Sequence, residues 1–280
     1  MGKSLATQAT ARIGKQWDKS KLTREGTIQH IKDFAHYVEQ RFGLEKINNL
    51  KPGHVQAYVT SMQEKGLTQG TVANRLSAIR QLAGSIGKQN ITFRTNAEYG
   101  INRSRQNPVM ANRELIDTIK TELAFRASQG DRVAMMAHAA AELRDHFGLR
   151  AKESLMSSRV VENNGQLRLS IEGAKGGRPR ELDIRSAEQL KAVQLVLATS
   201  RALGSETGRI LPPELSLKDA YNAQRALWSE LGGKRDTNGH MHAQRHDYFQ
   251  RMHASGSSNR EIMHDAGHGG NRSPGSYIPK

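Results

Sequence analysis

Near one end of the chain, side chains suited to handling a phosphate gather in a short span: His242-Ala243-Gln244-Arg245-His246, then Gly267-His268, then Tyr277 nine residues further on. Far upstream, Gly148-Leu149-Arg150-Ala151-Lys152-Glu153 sets a second arginine beside a carboxylate, and Lys175 lies in a glycine-rich turn. Six of the 11 histidines fall between residues 240 and 268. Guanidinium groups grip the nonbridging oxygens of a phosphodiester through paired, charge-assisted hydrogen bonds, which a lysine point charge does less well. Negative charge builds on those oxygens in a pentavalent transition state, so Arg150 and Arg245 are the candidates to stabilise it. A tyrosine hydroxyl, with a free pKa of about 10, needs a base or a positive field before it attacks. His242 suits proton transfer, and His268 suits a hydrogen bond to the phosphate.

The histidines also raise the question of metal. His242 and His246 are four apart and share a helix face, as zinc ligands do. The metalloprotease pattern requires Glu after the first His, and Ala243 follows instead. Arg245 beside the pair would repel a cation. Cysteine is absent, which removes disulfides, thiolate metal sites and cysteine nucleophiles together. No metal and no cofactor is expected.

The elements that must position these groups are mostly helical. Residues up to about Lys21 are polar and basic and read as a flexible arm. Apolar residues then recur at helical spacing through Ile28, Ile31, Phe34, Ala35, Val38 and Phe42. A second helix begins near Pro52 with Val55, Tyr58, Val59 and Met62 on its apolar face, and Gly66 closes it. A third carries Val72, Leu76, Ile79, Leu82, Ala83 and Ile86, and ends at Gly87. Short connections between such helices predict a small bundle. From Ile91 to Asn112 the pattern dissolves into a basic linker. Helices follow near 114–128 and 131–147, the latter capped by Asp131 and ended by Gly148. Alternation at Leu167, Leu169, Ile171 and at Leu182, Ile184, around Gly173–Pro179, predicts a β-hairpin. Helices resume from Ser186, from Ser216, around 242–253, and after Ser258, where Glu261 completes a capping box.

Charge points to the partner. The chain holds 42 Lys and Arg against 27 Asp and Glu, a net +15. Residues 1–112 carry 17 basic and 7 acidic side chains, and the remainder 25 and 20. Such a field attracts polyanions, of which nucleic acid is the commonest in a cell. Arg75, Arg80 and Lys88 lie off the apolar stripe of the third helix or just past it, and Arg103 and Arg105 in the linker, all candidates to meet phosphates. Arg178 and Arg180 in the hairpin join them. No run approaches the ~20 apolar residues of a membrane helix, and no secretory signal opens the chain. A cytoplasmic setting is expected, at the nucleoid in a bacterium.

In order and context these residues resemble the tyrosine recombinases of the phage integrase family. That family combines Arg in Gly-Leu-Arg-x-x-Glu, Lys on a β-hairpin, His-x-x-Arg, a His after Gly, and Tyr nine positions later. The matching positions here are Arg150, Lys175, His242 with Arg245, His268 and Tyr277, with Glu153 in support. Each motif alone is weak, but their joint occurrence in order is strong. The resemblance covers about residues 22–280. It implies a mainly α fold: a SAM-like, core-binding helical bundle at 22–106, after the arm at 1–21, and a mixed α+β catalytic domain with a small β-hairpin or sheet at 107–280. It implies a site-specific recombinase or integrase that cuts duplex DNA through a 3′-phosphotyrosyl link, with Lys175 as general acid, and rejoins it without ATP or metal. Four protomers would act on two recombination sites through a Holliday junction, with an accessory or partner recombinase as a further possible partner. The alternatives are a non-catalytic DNA-binding protein derived from an integrase and a type IB topoisomerase-like activity. Three departures stand out. Only Ile278-Pro279-Lys280 follow Tyr277, where many relatives continue into a helix that docks on a neighbour, and no arm-binding domain precedes the core, so accessory-site regulation of the phage lambda kind is not expected. Gln244 also stands where the family usually has Leu.

Overall fold

A computed structural model describes residues 3–14, 20–93, 95–102, 108–156, 159–173, 179–205, 209–268, 275 and 277–278. The chain divides into two compact units, Met1–Ser104 and Arg105–Lys280.

The first unit packs α1 (Leu5–Ile13), α2 (Lys21–Phe42), α3 (Pro52–Glu64) and α4 (Gln69–Ser85) around one apolar core. Side chains start three of these helices: Ser4, Ser20 and Thr68 each accept a backbone N–H from the first turn. Pro52 opens α3, where its missing N–H costs nothing. The apolar face expected on α2 is the one buried, through Ile31, Phe34, Ala35 and Val38.

Two expectations are corrected here. The stretch read as a flexible arm contains α1, which belongs to the core through the buried residues Leu5, Ala6 and Ala9. Three small contacts in a polar segment give too short a pattern to register as periodicity, yet Leu5 alone gains about 2 kcal/mol on full burial. The Leu5 N–H donates to Glu39, and the Gln8 side chain bridges Glu45 and Ile47. The stretch read as linker from residue 91 likewise starts inside this unit, since Ile91, Tyr99 and Ile101 are buried in the same core.

The second unit is built on α6 (Arg132–Phe147), against which α5 (Arg113–Ser128), α8 (Ala187–Ala202), α9 (Leu217–Glu230) and α10 (Met241–Ala254) pack. Asp131 caps α6, and Gly148 ends it with a left-handed φ of 61°. A one-turn helix α7 (Glu153–Met156) precedes the sheet, and α11 (Asn259–Asp265) follows α10, with the Ser258–Glu261 capping box in place.

The sheet holds three antiparallel strands in the order β1-β2-β3 rather than the expected pair: β1 (Arg159–Asn163), β2 (Gln166–Ile171) and β3 (Arg180–Asp183). The added strand joins β2 through Asn164-Gly165, both at positive φ (51° and 77°), the conformation a tight two-residue hairpin demands. Leu169 pairs with Leu182 and faces the core, and Ile171 pairs with Arg180 at the end of the sheet.

Candidate active site

Three backbone turns bring the site together. The first is the Gly148 turn, which carries the chain from α6 into Leu149 and Arg150. Gly148 is obligatory there: beyond its positive φ, a Cβ would collide with the Tyr248 ring. Arg150 is half-buried and binds Glu153 twice. Its Nη1 donates to Oε1 at 2.6 Å, and its backbone N–H donates to Oε2 at 2.9 Å.

Glu153 is fully buried, and a second guanidinium shares it. Arg180 donates Nη2 to Oε2 at 3.2 Å while its Nε donates to the Asp265 carbonyl at 3.1 Å. Burial pushes the Glu153 carboxyl up, but the charges and hydrogen bonds of Arg180 and Arg150 outweigh it and hold the pKa at about 2. The carboxylate therefore stays ionised and fixes both arginines.

The second turn is Gly267, after α11. Its φ is +61°, and a Cβ there would lie 2.7 Å from the Arg180 guanidinium. Only glycine lets Arg180 pass beneath this turn to Glu153. His268 follows directly.

Helix α10 supplies Arg245, which has no exposed surface. Its Nη1 donates to the Gly148 carbonyl and its Nη2 to the Ala266 carbonyl, each at 2.6 Å. Its Nε donates to the Tyr277 hydroxyl at 3.0 Å. Burial, with the nearby Arg150 charge, pushes the Arg245 pKa down to about 10, and Tyr277 and Glu153 pull the other way. It remains a cation at neutral pH.

The third turn presents Tyr277, which is buried at 4% exposure. Its hydroxyl also lies 3.2 Å from His268 Nε2. The ring packs against Phe249 at 4.8 Å and His246 at 5.1 Å between centroids. Ile278 anchors the next position in an apolar cluster with Tyr248, Phe249, Met252, Ile262 and Ala266. His242 opens onto solvent at the edge of the site and meets His246 edge-on at 4.9 Å. Burial of part of the ring, with His246, Arg245 and Arg150 nearby, lowers its pKa, so His242 is neutral at pH 7.

The structure thus brings Arg150, Glu153, Arg245, His268 and Tyr277 into one connected set, with His242 at its edge. Lys175, Arg178, Arg103 and Arg105 lie outside the described residues. Of the other expected phosphate contacts, Arg180 is a correction: its side chain is 6% exposed and serves Glu153. Arg75 is engaged by Tyr58 at 2.6 Å and Asp33 at 3.3 Å. Arg80 holds Phe93, Thr95 and Asn96, and Lys88 holds the Leu50 carbonyl. These three close their own unit.

Sequence reasoning missed two features. His246 lies between His242 and Tyr277, its ring 4.9 Å from the one and 5.1 Å from the other. Arg144, fully buried in α6, donates Nε to Gln244 Oε1 at 2.8 Å and Nη1 to Gln224 Oε1 at 3.1 Å and Ser154 Oγ at 3.4 Å. It lies 5.0 Å from the Trp228 ring and makes no ion pair with a carboxylate among the described residues. Burial pushes its pKa down to about 9. Gln244, polar where an apolar residue is usual, is thus the acceptor for this guanidinium. The signal was available, for Arg144 lies in the last turn of a helix whose residues are mostly buried.

The described residues include one group with metal-ligand spacing: Glu142, Asp145 and His146. Lys120 Nζ already stands 3.1 Å from Glu142 and 2.6 Å from Asp145, and Arg113 and Arg251 also bind Asp145. The cluster is an ion-pair network. Among the described residues no helix is long and apolar enough to cross a membrane.

Comparison with known proteins agrees with this architecture. The family model described as the N-terminal part of phage integrase matches residues 3–92, and the integrase model matches residues 103–251. A search of curated protein sequences returns no significant match. Among solved structures, the XerH site-specific recombinase bound to a palindromic difH substrate after cleavage is similar at a TM-score of 0.66. It is 18% identical, over 89% of this chain and 74% of that one. The Tn1549 transposon integrase in complex with transposon right-end DNA gives 0.57 at 17% identity, over 96% and 92%. A lambda integrase dimer bound to a core site gives 0.61 at 14%, over 95% and 73%. These similarities establish the fold.

Proposed function

Because the chain belongs to the tyrosine recombinase (phage integrase) family, we propose that it cuts and rejoins duplex DNA at specific sites with Tyr277 as nucleophile. The observation that carries this reading is the Arg245–Tyr277 hydrogen bond, 3.0 Å long, made by an arginine that also grips Gly148 two residues before Arg150. A phenol held by one guanidinium, beside a second guanidinium fixed on a carboxylate, is an arrangement suited to phosphoryl transfer.

In the reaction, Tyr277 Oη attacks the phosphorus and the bond from phosphorus to the 5′ oxygen breaks. Arg150 takes the charge that accumulates on the nonbridging oxygens, and Arg245, buried beneath Tyr277 in this structure, joins it as the phenol leaves its seat for the phosphorus. His268, already bonded to the phenol, and the neutral His242 are the groups suited to accept its proton. The departing 5′ oxygen takes a proton from Lys175. The ends of β2 and β3 that flank this lysine's segment stand at the site, because Arg180 opens β3 and contacts Glu153. The product is a 3′-phosphotyrosyl link, and attack by a 5′-hydroxyl from another strand reverses each step. Bond energy is conserved, so neither ATP nor metal is consumed. Four copies on two sites would exchange strands in two rounds through a Holliday junction. The +15 net charge of the chain supplies attraction to DNA.

The test is a DNA substrate nicked near the cleavage point, which traps the covalent intermediate. Wild type forms a protein–DNA adduct; Tyr277→Phe binds the same DNA and forms none. An adduct formed by the Phe variant refutes the assignment. Binding without any adduct in wild type favours a non-catalytic DNA-binding protein, and relaxation of supercoils without strand transfer favours the topoisomerase-like activity.

A further inference from the structure

Helix α10 carries a second polar side chain aimed at the tail, five residues after Arg245. The single carboxamide nitrogen of Gln250 donates to two backbone carbonyls at once, that of Val109 and that of Tyr277, each at 3.1 Å. Facing two acceptors, the carboxamide has only one orientation that works, with its NH2 group toward both. Both carbonyls belong to irregular backbone, outside any helix or strand. A partly buried carbonyl in that position needs a donor, and Gln250 is the donor for both.

The two segments have different origins. Val109 lies just past the unit boundary at 104–105 and ahead of α5. Its strap is tied down further on, where the Asn112 N–H donates to the Asn238 carbonyl and Arg113 binds Asp145 and Asp247. Tyr277 belongs to the tail, seated by Ile278 in its apolar cluster and by the Arg245 and His268 contacts of its hydroxyl. Gln250 joins the two.

We propose that Gln250 is a positioning residue that couples the strap entering the catalytic unit to the seating of Tyr277. Moving Val109 away removes half of the support of the carboxamide and frees it to turn from Tyr277; unseating Tyr277 loosens the strap in the same way. The strap follows the boundary between the units, so its displacement is transmitted to the nucleophile through one amide. This rests on the reading of Tyr277 as nucleophile.

The test uses the full chain with Gln250→Leu, Gln250→Glu and Gln250→Lys. Gln250 is only partly buried, so each variant is expected to fold. Hydrogen–deuterium exchange without DNA should show faster exchange in Gln250→Leu for two peptides together, the one spanning 108–112 and the one containing 277–278, with α6 and α10 unchanged. On the nicked substrate, Gln250→Leu should cleave roughly fivefold to tenfold more slowly, the scale of one lost hydrogen-bonding group, with DNA binding unchanged. Donor capacity sets the rank: Gln250→Lys, whose ammonium can serve both carbonyls, should exceed Gln250→Leu, and Gln250→Glu should be slowest. A role in packing alone would put Leu ahead of Lys and overturn the proposal. Loosening of one peptide only or of neither, or equal losses of binding and cleavage, overturns it too. The exchange arm does not depend on catalysis. Thus, if wild type makes no adduct, the nucleophile reading fails while the coupling is still decided.

Discussion

Arg245 Nε and the Tyr277 hydroxyl, 32 positions apart in sequence, lie 3.0 Å from one another in a pocket with almost no solvent exposure. The other donors of the same guanidinium hold the carbonyls of Gly148 and Ala266. Arg245 is therefore a fastener for all three turns of the site: the one before Arg150, the one before His268, and the tail.

The Gly267 turn predicts a local and specific defect. In Gly267→Ala the new methyl collides with the Arg180 guanidinium and holds a left-handed backbone, which costs about 1–2 kcal/mol by itself. Arg180 must then withdraw from Glu153. Thermal unfolding should show a lowered Tm, and cleavage should fall while DNA binding persists. Gly267→Ala with wild-type stability and cleavage would contradict this packing.

Glu153 predicts a pH-dependent contribution to stability. Its pKa is held at about 2, below the usual carboxylate value of 4.5, so its stabilisation is present in full above about pH 4.5. It is lost as pH falls through the native pKa. Glu153→Gln removes the charge, and urea unfolding at pH 7 should show a deficit on the order of 3 kcal/mol. The gap between the two proteins should close between about pH 4.5 and 2. A gap constant from pH 7 to 3 contradicts the ion-pair account.

The buried network of Arg144 and Gln244 predicts non-additivity. Gln244→Leu leaves the buried Nε of Arg144 without its acceptor while Gln224 and Ser154 still hold Nη1, a loss of about 1–3 kcal/mol. Arg144→Leu leaves Gln244 and Gln224 without their donor. The double variant removes both halves of the pair and should be more stable than the two single losses added together, with a coupling of at least about 1 kcal/mol in chemical denaturation. Strict additivity would mean the two side chains do not interact.

How much of this was legible in sequence depends on how far each feature reaches. That Arg150, Arg245, His268 and Tyr277 would lie together was readable because their order carries a family pattern. The α2, α3 and α4 faces were readable because each repeats over several turns. The helix α1 was not, since Leu5, Ala6 and Ala9 make sense only against a core built from distant residues. Strand β1 was missed although Asn164-Gly165 is a strong hairpin signal, because Arg159, Glu162 and Asn163 leave only two apolar residues to alternate. Arg180 looked like a surface cation since nothing in its neighbourhood announces Glu153, 27 positions earlier, as its partner. Arg75, Arg80 and Lys88 each donate to an acceptor of their own unit, which their sequence neighbourhood does not announce either. A basic residue off an apolar stripe is as free to cap a carbonyl of its own domain as to meet a phosphate.

The central claim is that Arg150 and Arg245 act with Tyr277 on one phosphorus, and it is tested most directly by separating binding from cleavage. Arg150→Ala and Arg245→Ala are measured beside wild type for affinity to the recombination site and for adduct formation on the nicked substrate. Contacts that strengthen in the transition state predict affinity within a few-fold of wild type and cleavage lower by about 100-fold or more in each variant. Cleavage that falls only in step with affinity would contradict the account.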